Sequence, residues 1–222
     1  TTYTQTITVV DTTAPTFTTS PADITVECDA STLPADTNGP AVATDNCDTS
    51  VTITSADTTV AGTGNNSVIT RVWTATDDNS NSTTYTQTIT VVDTTAPTFT
   101  NSPASLTVEC SASTDTSDTG IATATDNCDT SVTITSADTT VAGTGNNSVI
   151  TRVWTATDDN SNSTTYTQTI TVVDTTAPTF TNSPASLTVE CDASTLPTDT
   201  NGPAAATDNC GGTVAVTYAD TT

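Results

Sequence analysis

Residues 6–17 read TITVVDTTAPTF, and the same twelve letters return at 88–99 and at 169–180. A long-range repeat decides the architecture before any local pattern does. Tyr3 recurs as Tyr85 and Tyr166, so the period is 82 and then 81 residues. From Ala43 to Cys110 the chain is letter for letter the same as from Ala124 to Cys191. A period near 80 is too long for a solenoid coil and suits a small domain with its own core.

The missing residue lies between the cysteines: Cys28 and Cys47 are 19 apart, Cys110 and Cys128 are 18 apart, and Cys191 and Cys210 are 19 apart. The tolerated deletion marks that segment as a loop. TITVV then closes one domain, Asp11 stands at the joint, and Ala14-Pro15 opens the next first strand in an extended conformation. The boundaries that follow are 1–10 for the last strand of a preceding repeat, 11–92 and 93–173 for two whole repeats, and 174–222 for the N-terminal part of a further one. The chain is thus expected to be a window on a longer array.

Alternation of apolar and polar letters points to strands. DITVEC puts Ile24, Val26 and Cys28 on one face, ITRVWTATD puts Ile69, Arg71, Trp73 and Ala75 together, and TTYTQTITVV does so for Tyr85, Ile89 and Val91. Turn signals separate the runs at AGTGNN (61–66) and DDNSNS (77–82). Thr supplies 65 of 222 residues and Met is absent, a composition that favours β structure over helix. The expected fold is all-β, a Greek-key β-sandwich of about seven strands repeated in tandem as an immunoglobulin-like rod. Arg71, two residues before Trp73 on the same face, is expected to lay its stem over the indole and pair its head with a carboxylate.

There are 25 acidic residues against two basic ones and no His, for a formal charge of −23. Nucleic acid and anionic membranes are excluded as partners by repulsion, and divalent cations are the natural counterions. No apolar run is long enough to span a bilayer. Without His or Lys no nucleophile has an evident base, so an enzyme is not expected.

Six cysteines, two per repeat, imply disulfides in an oxidising compartment. Pairing inside a repeat, Cys28 with Cys47, is the simplest assignment; the alternative joins neighbouring repeats, because a strand can carry the two cysteines to opposite poles. If strands alternate in direction, the acidic turns gather at one pole. Asp45, Asn46, Asp77 and Asp78 there meet the incoming Asp11, and Asp126, Asn127, Asp158 and Asp159 meet Asp93, with Asp174 next in the series. Several hard oxygens at one place suit Ca²⁺, which takes six to eight of them. The competing explanation is that Asp and Asn are simply good turn residues.

DTTAPTF, PADITVEC, ATDNC, VWTATDDNSNS and TQTITVVD, in that order, resemble a hyalin-repeat (HYR-like) domain over essentially the whole chain. That resemblance implies an immunoglobulin-like module with a TDN turn and a TATD strand end. The sequence departs from many hyalin repeats by placing Tyr85 and Tyr166 where a cysteine often stands. Thr-rich, Lys-poor arrays of this kind are also similar to the giant surface adhesins of gliding Bacteroidota, exported by the type IX secretion system. The kinship implies cell-surface adhesion, with neighbouring repeats, surface polysaccharide or other fibres as partners. It also implies O-glycosylation at DTT motifs, with Thr12, Thr58, Thr94, Thr139 and Thr175 as acceptors.

The leading expectation is therefore a stalk of spacer repeats. A Ca²⁺-dependent carbohydrate-binding module is the main alternative and predicts an exposed aromatic platform. Ice binding, suggested by the TxT spacing of TYTQTITV, sits poorly with a twisted sheet.

Overall fold

The computed structural model describes residues 1–219. The first repeat contains β1 (Thr16–Thr19), β2 (Ile24–Glu27), β3 (Val42–Thr44), β4 (Thr52–Ala61), β5 (Ser67–Thr76) and β6 (Ser82–Val92). The second contains β7 (Thr98–Asn101), β8 (Leu106–Glu109), the single-turn helix α1 (Thr116–Thr119), β9 (Thr123–Thr125), β10 (Thr133–Ala142), β11 (Ser148–Thr157) and β12 (Ser163–Val173). β13 (Thr179–Asn182) and β14 (Ala205–Thr207) follow. Each complete repeat is an immunoglobulin-like sandwich of six strands, one fewer than the alternation suggested.

In the first repeat a four-stranded sheet has the order β2-β6-β5-β4 and a two-stranded sheet pairs β1 with β3; the second repeats this as β8-β12-β11-β10 and β7-β9. β1 and β2 belong to one stretch of chain that changes sheets at the buried Pro21. Proline cannot donate to a ladder, so pairing stops there and restarts on the other sheet. The restart is parallel: Ile24 lies beside Ile89 and Glu27 beside Val92. β4, β5 and β6 form an antiparallel meander, with Trp73 opposite both Ser55 and Tyr85.

The core follows the alternation. Ile69, Trp73, Ala75, Ile89 and Val91 are buried, and Ile24, Val26 and Cys28 pack against the isoleucine–valine cluster. Between these apolar layers lies a polar one. Arg71 is 1% exposed, with Nε and Nη2 donating to the two Asp57 oxygens at 2.8 Å, Nη1 to Thr37 Oγ1 at 2.7 Å and Nη2 to Thr32 O at 2.5 Å. Its guanidinium carbon stands 5.9 Å from the Trp73 ring centre, as the sequence led us to expect. Gln87 is also fully buried, and its amide donates to Ala22 O and Thr37 O, both at 2.9 Å. Thr32 and Thr37 lie in the segment between the cysteines, so that loop is tied into the core. In the second repeat the same segment contains α1, where simple loop was expected, and Thr119 takes over the role of Thr37 towards Arg152.

Contacts divide the chain into two compact units. The first comprises residues 1–98, 124–133 and 156–164; the second comprises 99–123, 134–155 and 165–222. The first unit therefore holds one whole repeat together with two acidic turns that belong, by sequence, to the next.

Candidate metal centre

Asp93 follows the last residue of β6, Asp126 and Asp129 lie in the turn after β9, and Asp158 lies in the turn between β11 and β12. All four belong to the first unit. One carboxylate oxygen from each comes within 4.8 Å of the other three. Asp93, Asp129 and Asp158 are buried, at 4%, 8% and 6% exposure. Like charges so placed repel by roughly 3 to 4 kcal/mol per pair at an effective dielectric near 20.

Local hydrogen bonds offset part of that repulsion. Asp158 Oδ1 accepts from the backbone of Asn160 and Asn162 at 2.9 and 2.8 Å, and its Oδ2 accepts from Asn162 Nδ2 at 2.8 Å. Asp129 accepts from Asp159 N at 2.7 Å and Asn65 Nδ2 at 2.6 Å. Asp126 Oδ1 takes the amides of Cys128 and Asp129, and Asp93 Oδ1 takes that of Thr95. The Oδ2 atoms of Asp93 and Asp126 are buried and have no hydrogen-bond partner. Burial holds the Asp93 carboxyl above its ordinary range; the Thr95 amide opposes this, and the charges of Asp126, Asp158 and Asp129 reinforce it.

The first repeat carries the same acids as Asp11, Asp45, Asp48 and Asp77, again with one oxygen each inside 4.8 Å. Asp11 Oδ2 and Asp45 Oδ2 are likewise buried and unpartnered. These donor sets consist of hard oxygens and can accept a hard divalent cation. The structure thus brings together Asp11, Asp45 and Asp77, and Asp93, Asp126 and Asp158, as the alternation of strands suggested. It leaves out Asp78 and Asp159, which are exposed turn corners, and Asn46 and Asn127 are exposed as well. Asp78 and Asp159 contribute backbone amides to Asp48 and Asp129, and the Asn46 and Asn127 amides donate to Cys47 Sγ and Cys128 Sγ at 3.2 Å. Sequence reasoning stopped at ATDN and missed Asp48 and Asp129; the signal was the DNCD spacing, which returns the chain to the same side of the turn. Asp174 groups instead with Cys110 and Cys210, and at the position matching Asp129 the chain has Gly211.

The disulfides lie beside these acids. Cys28 bonds Cys128 with a Cα–Cα distance of 5.9 Å, and Cys110 bonds Cys210 at 5.4 Å. Cys47 and Cys191 are free and exposed, so the simplest expectation, Cys28 with Cys47, is not the pairing formed. Strand direction explains this. Because β2 runs parallel to β6, Cys28 leaves its strand next to the residue that follows Val92, whereas Cys47 sits with Asp11 and Asp45, where the repeat begins.

A family model described as an HYR-like domain with 4 cysteines matches residues 16–91 and again 98–172. The chain belongs to this HYR-like family. No curated protein matches it. Among solved structures it is similar to Drosophila N-cadherin EC1-4, at 15% identity over 73% of this chain and 50% of that one, with a TM-score of 0.35. Human CDH23 EC21-23 gives 14% identity, 90% and 81% coverage and a TM-score of 0.38; mouse clustered PcdhgC3 EC1-3 gives 16%, 72% and 68%, and 0.33. The chain spans half the length of the N-cadherin fragment.

Each HYR-like repeat here has two cysteines, in contrast to the four of the family description. Thr12, Thr58, Thr94, Thr139 and Thr175 are all exposed. Thr58 and Thr139 lie on the edge strands β4 and β10, whereas the Thr94 and Thr175 hydroxyls donate to Glu27 and Glu109. Trp73 and Trp154 are 3% and 4% exposed, so neither indole forms a sugar-binding platform. No helix among the described residues is long and apolar enough to cross a membrane.

Proposed function

We propose that these HYR-like repeats form the stalk of a long extracellular surface adhesin or filament that supports cell attachment or gliding, as in the giant adhesins of Bacteroidota. The observation that carries this reading is the Cys28–Cys128 bond, which ties the first repeat covalently to an acidic turn of the second. A bond 100 residues long in sequence resists separation of successive modules, and near-identical modules suit a spacer. The proposed modules are 11–92 and 93–173, with 1–10 closing an earlier repeat and 174–222 opening a later one. Calcium at the acidic clusters belongs to the same proposal, because a dication there removes the repulsion among converging carboxylates. O-glycans on the exposed DTT threonines would add a hydrated coat, and surface polysaccharide or other fibres would be the partners.

Small-angle scattering of the oxidised chain tests the stalk. An elongated rod that shortens or becomes flexible after chelation and reduction is the expected result. A compact globule in calcium would reject it.

A further inference from the structure

Three observations converge on the Asp93 cluster. Four carboxylates from three separate chain segments place an oxygen each inside 4.8 Å. Asp93 is 96% buried by its 4% exposure, yet its Oδ2 has no donor. Asp126 Oδ2 is the second such atom, although the Oδ1 of both residues is satisfied by nearby amides. A buried carboxylate oxygen without a partner costs on the order of 1 to 3 kcal/mol or more, and two such oxygens in one cluster call for a group that satisfies them.

We infer that Asp93, Asp126, Asp129 and Asp158 form one Ca²⁺ site, with Asp129 as a ligand and Asp159 outside it. The site deepens the calcium part of the proposal above by fixing which side chains bind. The 4.8 Å ceiling matches the span across a Ca²⁺ shell, whose ligands stand about 2.3 to 2.6 Å from the ion. Mg²⁺ keeps several waters and demands a tighter octahedron of about 2.0 to 2.1 Å, so four crowded carboxylates favour the larger ion. Asp158 is held by three donors and Asp129 by two, which fixes their oxygens in place before the ion arrives. Asp159 stays out because its contribution is the amide that donates to Asp129 Oδ2.

Calorimetric titration of the chelator-treated full chain with Ca²⁺ alone tests the site, with Mg²⁺ as the competing ion. D129N and D126N should each lose at least tenfold in affinity at one binding equivalent, D159N should titrate like the wild type, and Mg²⁺ should bind at least tenfold more weakly. Should a variant fail to fold by circular dichroism, amide shifts of the wild type replace it: Thr95, Cys128, Asp129 and Asp159 should move on adding Ca²⁺. Absence of binding at millimolar Ca²⁺, or D129N and D126N matching the wild type, would overturn the site. These readouts do not depend on molecular shape, so a rod that binds no Ca²⁺ defeats the site and leaves the stalk standing. A globule that binds Ca²⁺ through Asp129 does the reverse.

Discussion

Gly64 sits so close to the side chain of Asn160 that a β-carbon on the glycine would overlap Asn160 Oδ1. Asn160 in turn donates to Asn66 Oδ1 at 2.8 Å and to Asp93 O at 3.3 Å, which couples the AGTGNN turn to the backbone of the acidic cluster. Gly145, the same residue one repeat later, has nothing within 4 Å. Both glycines have positive φ, +60° and +66°.

The pair therefore separates backbone strain from contact. G145A should cost about 1 kcal/mol, the strain of alanine in a left-handed conformation. G64A carries that strain and must also displace Asn160, which adds roughly 1 to 3 kcal/mol. Urea denaturation of the two variants measures the difference, and equal losses would show that the Asn160 contact contributes nothing.

Alkylation of the unreduced protein should modify two cysteines, Cys47 and Cys191, and reduction should expose four more. Peptide mapping should recover Cys28 linked to Cys128. A Cys28–Cys47 peptide as the main product would contradict the connectivity. C28S with C128S should lower stability by up to about 4 to 5 kcal/mol, the chain-entropy value for a loop near 100 residues.

Gln87→Leu keeps the volume of the side chain but leaves the Thr37 carbonyl without a donor and the Trp73 indole N–H without its acceptor, while Ala22 O keeps the amide of Asn38. The expected loss is about 2 to 4 kcal/mol, set by one buried acceptor and one buried donor left unpaired. A neutral result in denaturant melts would mean that water replaces the amide.

Arg71 holds the Asp57 carboxyl below the ordinary value of 3.8, mainly through their hydrogen bond, and Arg152 does the same for Asp138. A depressed folded-state pKa contributes stability that is present above the unfolded value and lost as pH falls through the folded one. Melting temperature should therefore drop with acidification below about pH 3.8, and D57N/D138N should show a shallower drop. Both carboxylates are over a third exposed, so solvent screening keeps this contribution small. Arg71→Met is the larger lesion, roughly 2 to 3 kcal/mol, because it also strips partners from Thr37 and Thr32.

Much of the strand plan was legible because it is local. The inward face Ile69, Arg71, Trp73 and Ala75 follows from two-residue alternation, and the arginine–indole contact follows from their spacing. Gln87 escaped notice because a polar letter inside an apolar run carries no sign of the carbonyls it will meet. The split between β1 and β2 was hidden for the same reason, since sheet membership depends on distant partners, up to 28 residues away for β1 and 65 for β2. Cysteine pairing turned on that split, because only the parallel register of β2 beside β6 puts Cys28 next to Asp93. The acids were half legible: turns announced Asp45, Asp77 and Asp93, but Asp48 and Asp129 needed the path of the turn itself.

The two disulfides also set how far the chain can be drawn out. Their loops overlap, since Cys110 precedes Cys128. The shortest covalent route runs from residue 1 to Cys28, across to Cys128, back to Cys110, across to Cys210 and on to the end. That route is roughly 60 residues long, or about 200 Å when taut, against about 780 Å for the reduced chain at ~3.5 Å per residue. Under tension the oxidised protein can thus lose its sheets without paying out most of its length, and redox conditions, more than fold stability, fix its maximum reach.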